Sequence, residues 1–278
     1  MDLRPIAVER RMHSAAAPRK AQAPTAHASA TLAFYTGGQA RVQLDGVWEV
    51  GEGDVLLVPA GTRHRLLETH AAELWRLTFC VPCLAPSTAA SLLEPLERVR
   101  DGAAAVARIP SSRHAHLQRL LVELARVGRG RRGPGDVVES VERSLLTLVL
   151  AEIAEATSAS SVRPAGGSSV VARALRVIER QCLGPLGLAE VARAVDRSPA
   201  YVTTALTRAT GRSAVQWIVG ARMAEARRLL LHSDASIDTI TGRVGYADPT
   251  HFIRMFRREH GVTPAAWRAA QALSASRR

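Results

Sequence analysis

The sequence predicts an α+β chain: an antiparallel β region first, amphipathic helices next, and an all-α domain at the end. Three observations carry this reading. Apolar residues fall into short runs broken by turn residues between Leu32 and Phe79. After Pro86 the apolar period lengthens to about 3.6, and the last part of the chain holds an internal repeat at an offset of 50 positions. At 278 residues the chain can form two domains with sizeable cores.

Residues 1–30 are rich in Ala and Pro, lack periodicity, and are expected to be a disordered tail. Residues 31–85 carry apolar runs at 31–35, 40–44, 47–50, 55–58 and 73–79, punctuated by Gly37-Gly38, Asp45-Gly46 and the turn at 51–54. Asp45-Gly46 is a hairpin signal. In residues 86–155, Leu92, Leu93, Leu96 and Val99, then Leu117, Leu120, Leu121 and Leu124, then Val138, Val141, Leu145 and Leu148 predict three amphipathic helices. Residues 156–169 are small, polar and aperiodic, a linker by composition. Residues 170–278 read as short helices separated by tight turns.

No apolar run approaches the roughly 18 residues that a membrane span needs. Near the N-terminus Arg10, Arg11, Arg19 and Lys20 stand without the apolar stretch of a secretory signal, so a cytoplasmic protein with no membrane partner is expected. The 37 basic and 25 acidic residues give a net charge of +12. From Gly166 onward there are 17 Arg against 8 acidic residues, which leaves +3 for everything before. Clustered cations gain by releasing counterions from a polyanion. An Arg-rich composition raises net charge without any function, however, so charge supports a nucleic-acid reading and does not decide it.

The repeat says more. Ser198-Pro199-Ala200-Tyr201-Val202 and Asp248-Pro249-Thr250-His251-Phe252 each place a capping side chain before a Pro, the signature of a helix start. The correspondence continues through Arg208 and Arg258, Gly211 and Gly261, and Trp217 and Trp267, preceded by Leu188, Val191 and Val195 against Ile237, Ile240 and Val244. Each unit is a helix, a tight turn, a second helix and a Gly stop, the helix-turn-helix pattern in which the second helix enters a major groove of double-stranded DNA. With Val202, Ala205, Leu206 and Ala209 inward, Ala200, Thr203, Thr204, Thr207 and Arg208 face out; with Phe252, Met255 and Phe256 inward, Thr250, Arg254, Arg257 and Arg258 face out. The guanidinium fork suits a guanine edge or a phosphate, and Thr offers a hydroxyl and a methyl. A solvated Arg-rich surface helix is the plain alternative for either copy alone; two copies with matching caps favour DNA.

The stretch Ala221-Arg222-Met223-Ala224-Glu225-Ala226-Arg227-Arg228-Leu229-Leu230-Leu231, then Ser236-Ile237-Asp238, Val244-Gly245-Tyr246-Ala247-Asp248-Pro249-Thr250-His251-Phe252-Ile253-Arg254-Met255-Phe256-Arg257-Arg258 and the closing Gly261-Val262-Thr263-Pro264-Ala265-Ala266-Trp267-Arg268, resembles the signature of AraC/XylS-type transcriptional regulators. The resemblance covers about the last hundred residues. It implies seven helices carrying two helix-turn-helix motifs, a homodimer joined through the helices of residues 86–155, and RNA polymerase as a further candidate partner. Thr204 and Thr207 stand where the family commonly has Arg or Lys, and Leu206 where it has an aromatic, which implies a distinct first half-site.

Gly53-Asp54-Val55-Leu56-Leu57-Val58-Pro59-Ala60-Gly61-Thr62-Arg63-His64 has the spacing G-x5-P-x-G-x2-H and resembles the second conserved motif of the cupin barrel. The fold expected for residues 31–85 is therefore a cupin-like β-barrel acting as an effector domain, with His64 pointing inward. His64, Trp48 and Trp75 are the candidate effector contacts, the Trp rings equally suited to plain core. A metal centre would need further His and carboxylate ligands, and residues 31–50 contain no His, so no metal and no cofactor is expected.

Cys80-Val81-Pro82-Cys83 is a C-x-x-C that could be redox-active, supply half of a metal site or pack inertly. Three cysteines, with Cys182 the odd one, argue against a disulfide framework. The function expected is a sequence-specific DNA-binding transcriptional regulator controlled by an unnamed small-molecule or redox signal, and not an enzyme. The alternatives are a cupin-type metalloenzyme with an accessory nucleic-acid-binding module, and a regulator whose filled β domain binds partner proteins.

Overall fold

The computed structural model describes residues 5–13, 24–84, 90–130, 135–158 and 169–276. In chain order the N-terminal part comprises β1 (Ile6–Met12), β2 (Ala30–Gln43), β3 (Val47–Gly51), β4 (Asp54–Val58), β5 (Arg65–Phe79), α1 (Val81–Leu84), α2 (Ala90–Arg100), β6 (Val106–Arg108), α3 (Ser111–Gly130) and α4 (Gly135–Ser158). The strands form one antiparallel sheet in the order β1-β5-β2-β4-β6, with β3 added to the far half of β2. Asp45 and Gly46 both take positive φ between β2 and β3, as their hairpin signal predicts. The long strands β2 and β5 shift register around Gly37–Gln39, and Gly38 is required there: at φ +65° a Cβ would lie 2.2 Å from the Ala71 carbonyl oxygen.

Two expectations change. Ile6–Met12, inside the stretch read as a disordered tail, is a strand paired with β5 from Ile6 opposite Phe79 to Met12 opposite Glu73. Its Ile6 and Val8 join the core, and the edge of β5 supplies the partner that no local pattern announces. Residues 14–23 lie outside the described residues. The expected cupin-like barrel is replaced by an open sheet: its path runs from β1 to β6, and among the described residues no ladder joins those two strands. One face is filled from above: Leu117, Leu121, Val149 and Ile153 of α3 and α4 meet Leu32, Phe34, Trp75 and Leu77, leaving a void of about 10 Å³, about the room of one water.

The C-terminal part contains α5 (Val170–Gln181), α6 (Leu188–Ala194), α7 (Pro199–Thr210), α8 (Ala214–His232), α9 (Ile237–Arg243), α10 (Pro249–His260) and α11 (Pro264–Ser276). The helices start where caps allow. Ser198 accepts from the Tyr201 amide, Ser213 from Gln216, Ser236 from Thr239, and Asp248 from both Thr250 and His251. Such caps each contribute about 1 kcal/mol. α7 and α10 stop at Gly211 and Gly261 in the left-handed conformation, at φ 78° and 76°. Two cores result. Val191, Val202, Leu206, Trp217 and Ile218 fill the first, and Met223, Leu230, Ile240, Phe252 and Phe256 the second. The 19 residues of α8 serve both, spanning about 28 Å at 1.5 Å per residue. The linker expected at 156–169 falls largely on residues 159–168, outside the described residues, with α4 reaching Ser158.

The two parts are docked. Ala60 lies in the core of the first helix pair, and a Cβ on Gly61 would lie 2.9 Å from Leu175 and 3.2 Å from Trp217. Around this apolar contact, Arg100 of α2 makes a bidentate pair with Glu179 of α5, both bonds 2.8 Å, and all but buried. Arg176 reaches Glu97 at 2.5 Å and Asp101 at 3.0 Å, and Arg228 of α8 pairs with Glu139 of α4. Burial works against the Arg100 charge, but the Glu179 carboxylate beside it raises its pKa above the usual arginine value.

Candidate nucleic-acid interface

The helix pairs α6–α7 and α9–α10 turn their repeated cores inward and leave comparable outer faces. On α7, Val202 and Leu206 are fully buried, whereas Ala200, Thr204, Thr207 and Arg208 are exposed; Thr203, expected outward, is half-buried. On α10, Phe252, Met255 and Phe256 are buried, and Thr250, Arg254, Arg257 and Arg258 are exposed. Among the described residues Arg254 and Arg257 have no ion-pair partner, and Arg258 reaches only its neighbour Glu259 at 3.8 Å. The same faces carry two side chains not singled out from the sequence. Tyr201 is half-exposed near the start of α7, and His251 stands at the matching place on α10, edge-on to Tyr246 at 5.3 Å. The fifty-residue offset already paired these two positions, and that was the available signal.

The relation between the two pairs is set at the middle of α8. Arg222 donates from Nε to the Cys182 carbonyl at 2.7 Å and from Nη2 to those of Gly184 and Leu186 at 2.8 and 3.2 Å, while its guanidinium lies 5.1 Å from the Tyr246 ring centre. One side chain thus binds the loop after α5 to the turn before α10. Gly245, at φ +81°, completes the contact, since a Cβ there would meet the Leu183 oxygen at 2.9 Å. The clamp sits at the centre of α8, the helix that packs in the cores of both pairs.

The candidate effector contacts do not share a chamber. Trp48 closes the hairpin, its indole N–H donating to the Leu44 carbonyl at 2.8 Å. Trp75 belongs to the filled core and borders the small void, its indole Nε1 buried with no partner among the described residues. His64 was expected to point into a barrel; it sits instead beside the interdomain contact, Nδ1 3.2 Å from the Thr62 oxygen and its ring edge-on to His27 at 5.2 Å. Burial lowers the pKa of His64, with Arg76 adding to the effect. Pro59 and Gly61 do form the tight turn, but its outer side is covered by α5 and α8. An open cleft of about 780 Å³ lies elsewhere, with Gln39, Arg41, Glu49, Glu68, His70 and Arg108 on its walls. Cys80 and Cys83 are joined as a disulfide and Cys182 is a buried free thiol. Among the described residues no group of three or more metal-ligating side chains occurs, and no helix is long and apolar enough to cross a membrane.

Residues 191–270, which span both helix pairs, match a family model described as a helix-turn-helix domain. Over these residues the chain is similar to helix-turn-helix domains. The regulatory protein PocR of Salmonella typhimurium is 35% identical over 105 residues, which is 38% of this chain and 35% of that protein. The HTH-type transcriptional regulator YpdC of Escherichia coli is 23% identical over 222 residues, 78% of this chain and 74% of that one. Among solved structures, the C-terminal domain of the response regulator AraT of Geobacillus stearothermophilus is 31% identical and covers 37% of this chain and 86% of its own, with a TM-score of 0.36. The chain thus spans about a third of the length of PocR.

Proposed function

We propose that this protein is a sequence-specific DNA-binding transcriptional regulator, and that α6–α7 and α9–α10 are two helix-turn-helix motifs reading a bipartite site. The observation that supports it best is the repeated outer face: Thr204, Thr207 and Arg208 on α7, and Thr250, Arg254, Arg257 and Arg258 on α10, exposed on frameworks that share caps and Gly stops. Relatives named as regulators support the same reading. Two heads on one rigid helix suit successive major grooves about 34 Å apart. No enzymatic role is assigned.

The N-terminal domain is read as the sensor of a small-molecule or redox signal. Its filled interior favours the open cleft over an internal chamber as the place for a small molecule, and the docked junction is the route from either signal to DNA. The protein is further proposed to act as a homodimer through α4, where Val137, Val141 and Leu148 stand exposed along one groove of about 360 Å³. RNA polymerase is the natural partner of such a regulator at its promoter.

The deciding experiment is selection of the purified chain on a random duplex library at two salt concentrations. A recovered motif with half-sites one helical turn apart is the expected result. Salt-sensitive binding without any motif would mean that the Arg excess alone attracts DNA, and the reading would fall.

A further inference from the structure

The bonded pair Cys80–Cys83 lies where three parts of the molecule meet. Cys80 directly follows strand β5, and its amide donates to the Pro5 carbonyl at 2.9 Å. The single turn α1 that follows is buried along its whole length and packs against α8 and α5 of the DNA-binding domain. From α4, Arg143 Nη2 donates to the Cys83 carbonyl at 3.1 Å; Arg143 also pairs with Glu139 at 2.9 Å, and Glu139 pairs with Arg228 on α8. A continuous chain of polar contacts therefore runs from Cys83 to the helix that carries both reading heads.

We propose that Cys80 and Cys83 form a thiol–disulfide site whose reduction by a dithiol changes how α1 and α4 hold α8, and with it the affinity for DNA. The inference rests on the DNA-binding reading above and names the signal that reading left open. A disulfide that closes a loop this short constrains the unfolded chain least, so stapling is a weak reason for the bond. A protein that works on a promoter inside the cell works where thiols are kept reduced, and disulfides in such surroundings are chiefly transient or redox-sensing.

The exchange balances without any other reagent. The reductant's thiolate attacks the Cys80 sulfur. The Cys83 sulfur leaves with the bond pair and takes up a proton. The reductant's second thiolate then displaces Cys80 from the mixed disulfide, Cys80 gains its proton, and the reductant departs as a disulfide. An oxidised dithiol reverses each step. Cys182 does not compete, because burial pushes its pKa up to about 12 and keeps it a thiol.

The consequence follows from packing. Bonded sulfurs are about 2.05 Å apart, whereas non-bonded heavy atoms rest at roughly 3.5–4.0 Å. Two thiols need more room than the bond did, and every residue of α1 is buried. The added room is taken from its packing, in which α8 and α5 are the neighbouring helices.

The test uses the full chain and the duplex motif that it selects. Affinity is measured with the pair oxidised and after reduction with dithiothreitol, the state of each cysteine being mapped by alkylation and mass spectrometry. A change of at least about fivefold between the two states is expected, with Cys80 and Cys83 but not Cys182 changing state. The double variant Cys80→Ser, Cys83→Ser should bind as the reduced protein does and ignore dithiothreitol. Equal affinity in two states mapped as different would overturn the proposal, as would a pair that cannot be reduced without unfolding. Hydrogen exchange on α1 and α8 keeps the two readings apart. If no motif is selected in either state, the DNA-binding reading fails; faster exchange on both helices after reduction would still show the redox site, and unchanged exchange would remove it.

Discussion

Arg254 lies between the buried Phe252 and Met255 with its guanidinium exposed, on the face that the repeat marks as outward. If it reads a base edge, Arg254→Ala weakens binding to the selected motif by about 1–3 kcal/mol and relaxes preference at one position. Competition binding against single-base variants of the motif checks this; loss that is uniform over all variants, with a shallower salt slope, would make Arg254 a phosphate contact. His260 carries the pH dependence at this scale. Its ring meets Phe256 edge-on at 4.4 Å and its Nε2 accepts from Arg227 at 3.2 Å, so it is neutral in the folded chain. Burial, and next the Arg227 charge, lower its pKa from 6.5 to about 4. The unfolded chain therefore binds this proton first as pH falls. The stability tied to it is complete above pH 6.5, declines toward about 4, and changes no further below. Melting of His260→Gln should drop less than that of the natural chain between about pH 7.5 and about pH 4.5.

Element against element, the junction depends on α5 being held by α2. Glu179→Ala leaves Arg100 buried without its bidentate partner, and breaking such a pair costs about 3–5 kcal/mol. Denaturant unfolding should show that loss, with faster proteolysis around α5, while the caps and cores of α7 and α10 stay intact. The helices of the C-terminal part were legible because α5, α7, α8, α9 and α10 begin at a Ser or Asp cap and α7 and α10 end at Gly, signals that lie within a few residues of one another. β1 was not, because Ile6–Met12 has little pattern of its own and becomes a strand only by pairing with β5 some 70 positions later. The three-residue strand β6 was missed for the same reason, since it exists only as the partner of β4.

For the whole molecule, the groove along α4 predicts association. Leu148 is half-exposed in line with Val137 and Val141, and Leu148→Glu would put a charge into the proposed dimer contact. Sedimentation at micromolar concentration should find the natural chain dimeric and the variant shifted to monomer, with the affinity of a single chain for an isolated half-site unchanged. A natural chain that is monomeric at that concentration would remove α4 as the interface. The whole molecule is also where His64 was misplaced: its motif described the turn correctly, but which domain packs on that turn is not written near it.

From the sequence came the order of a β region, helices and a basic helical repeat, and the outward residues of α7 and α10. These follow from periodicity and capping, which act over one or two turns of chain. Tertiary structure decided which strands pair with β5, that α3 and α4 fill the inner face of the sheet, and that the turn at Gly61 docks on α5 and α8. It also decided that Arg222 clamps the two helix pairs and that Cys80 and Cys83 close a bond beside α8. Apart from that bond, these contacts join residues tens to more than a hundred positions apart, and their stability comes from the surface each hides on the other, a quantity that exists only once both sides are folded.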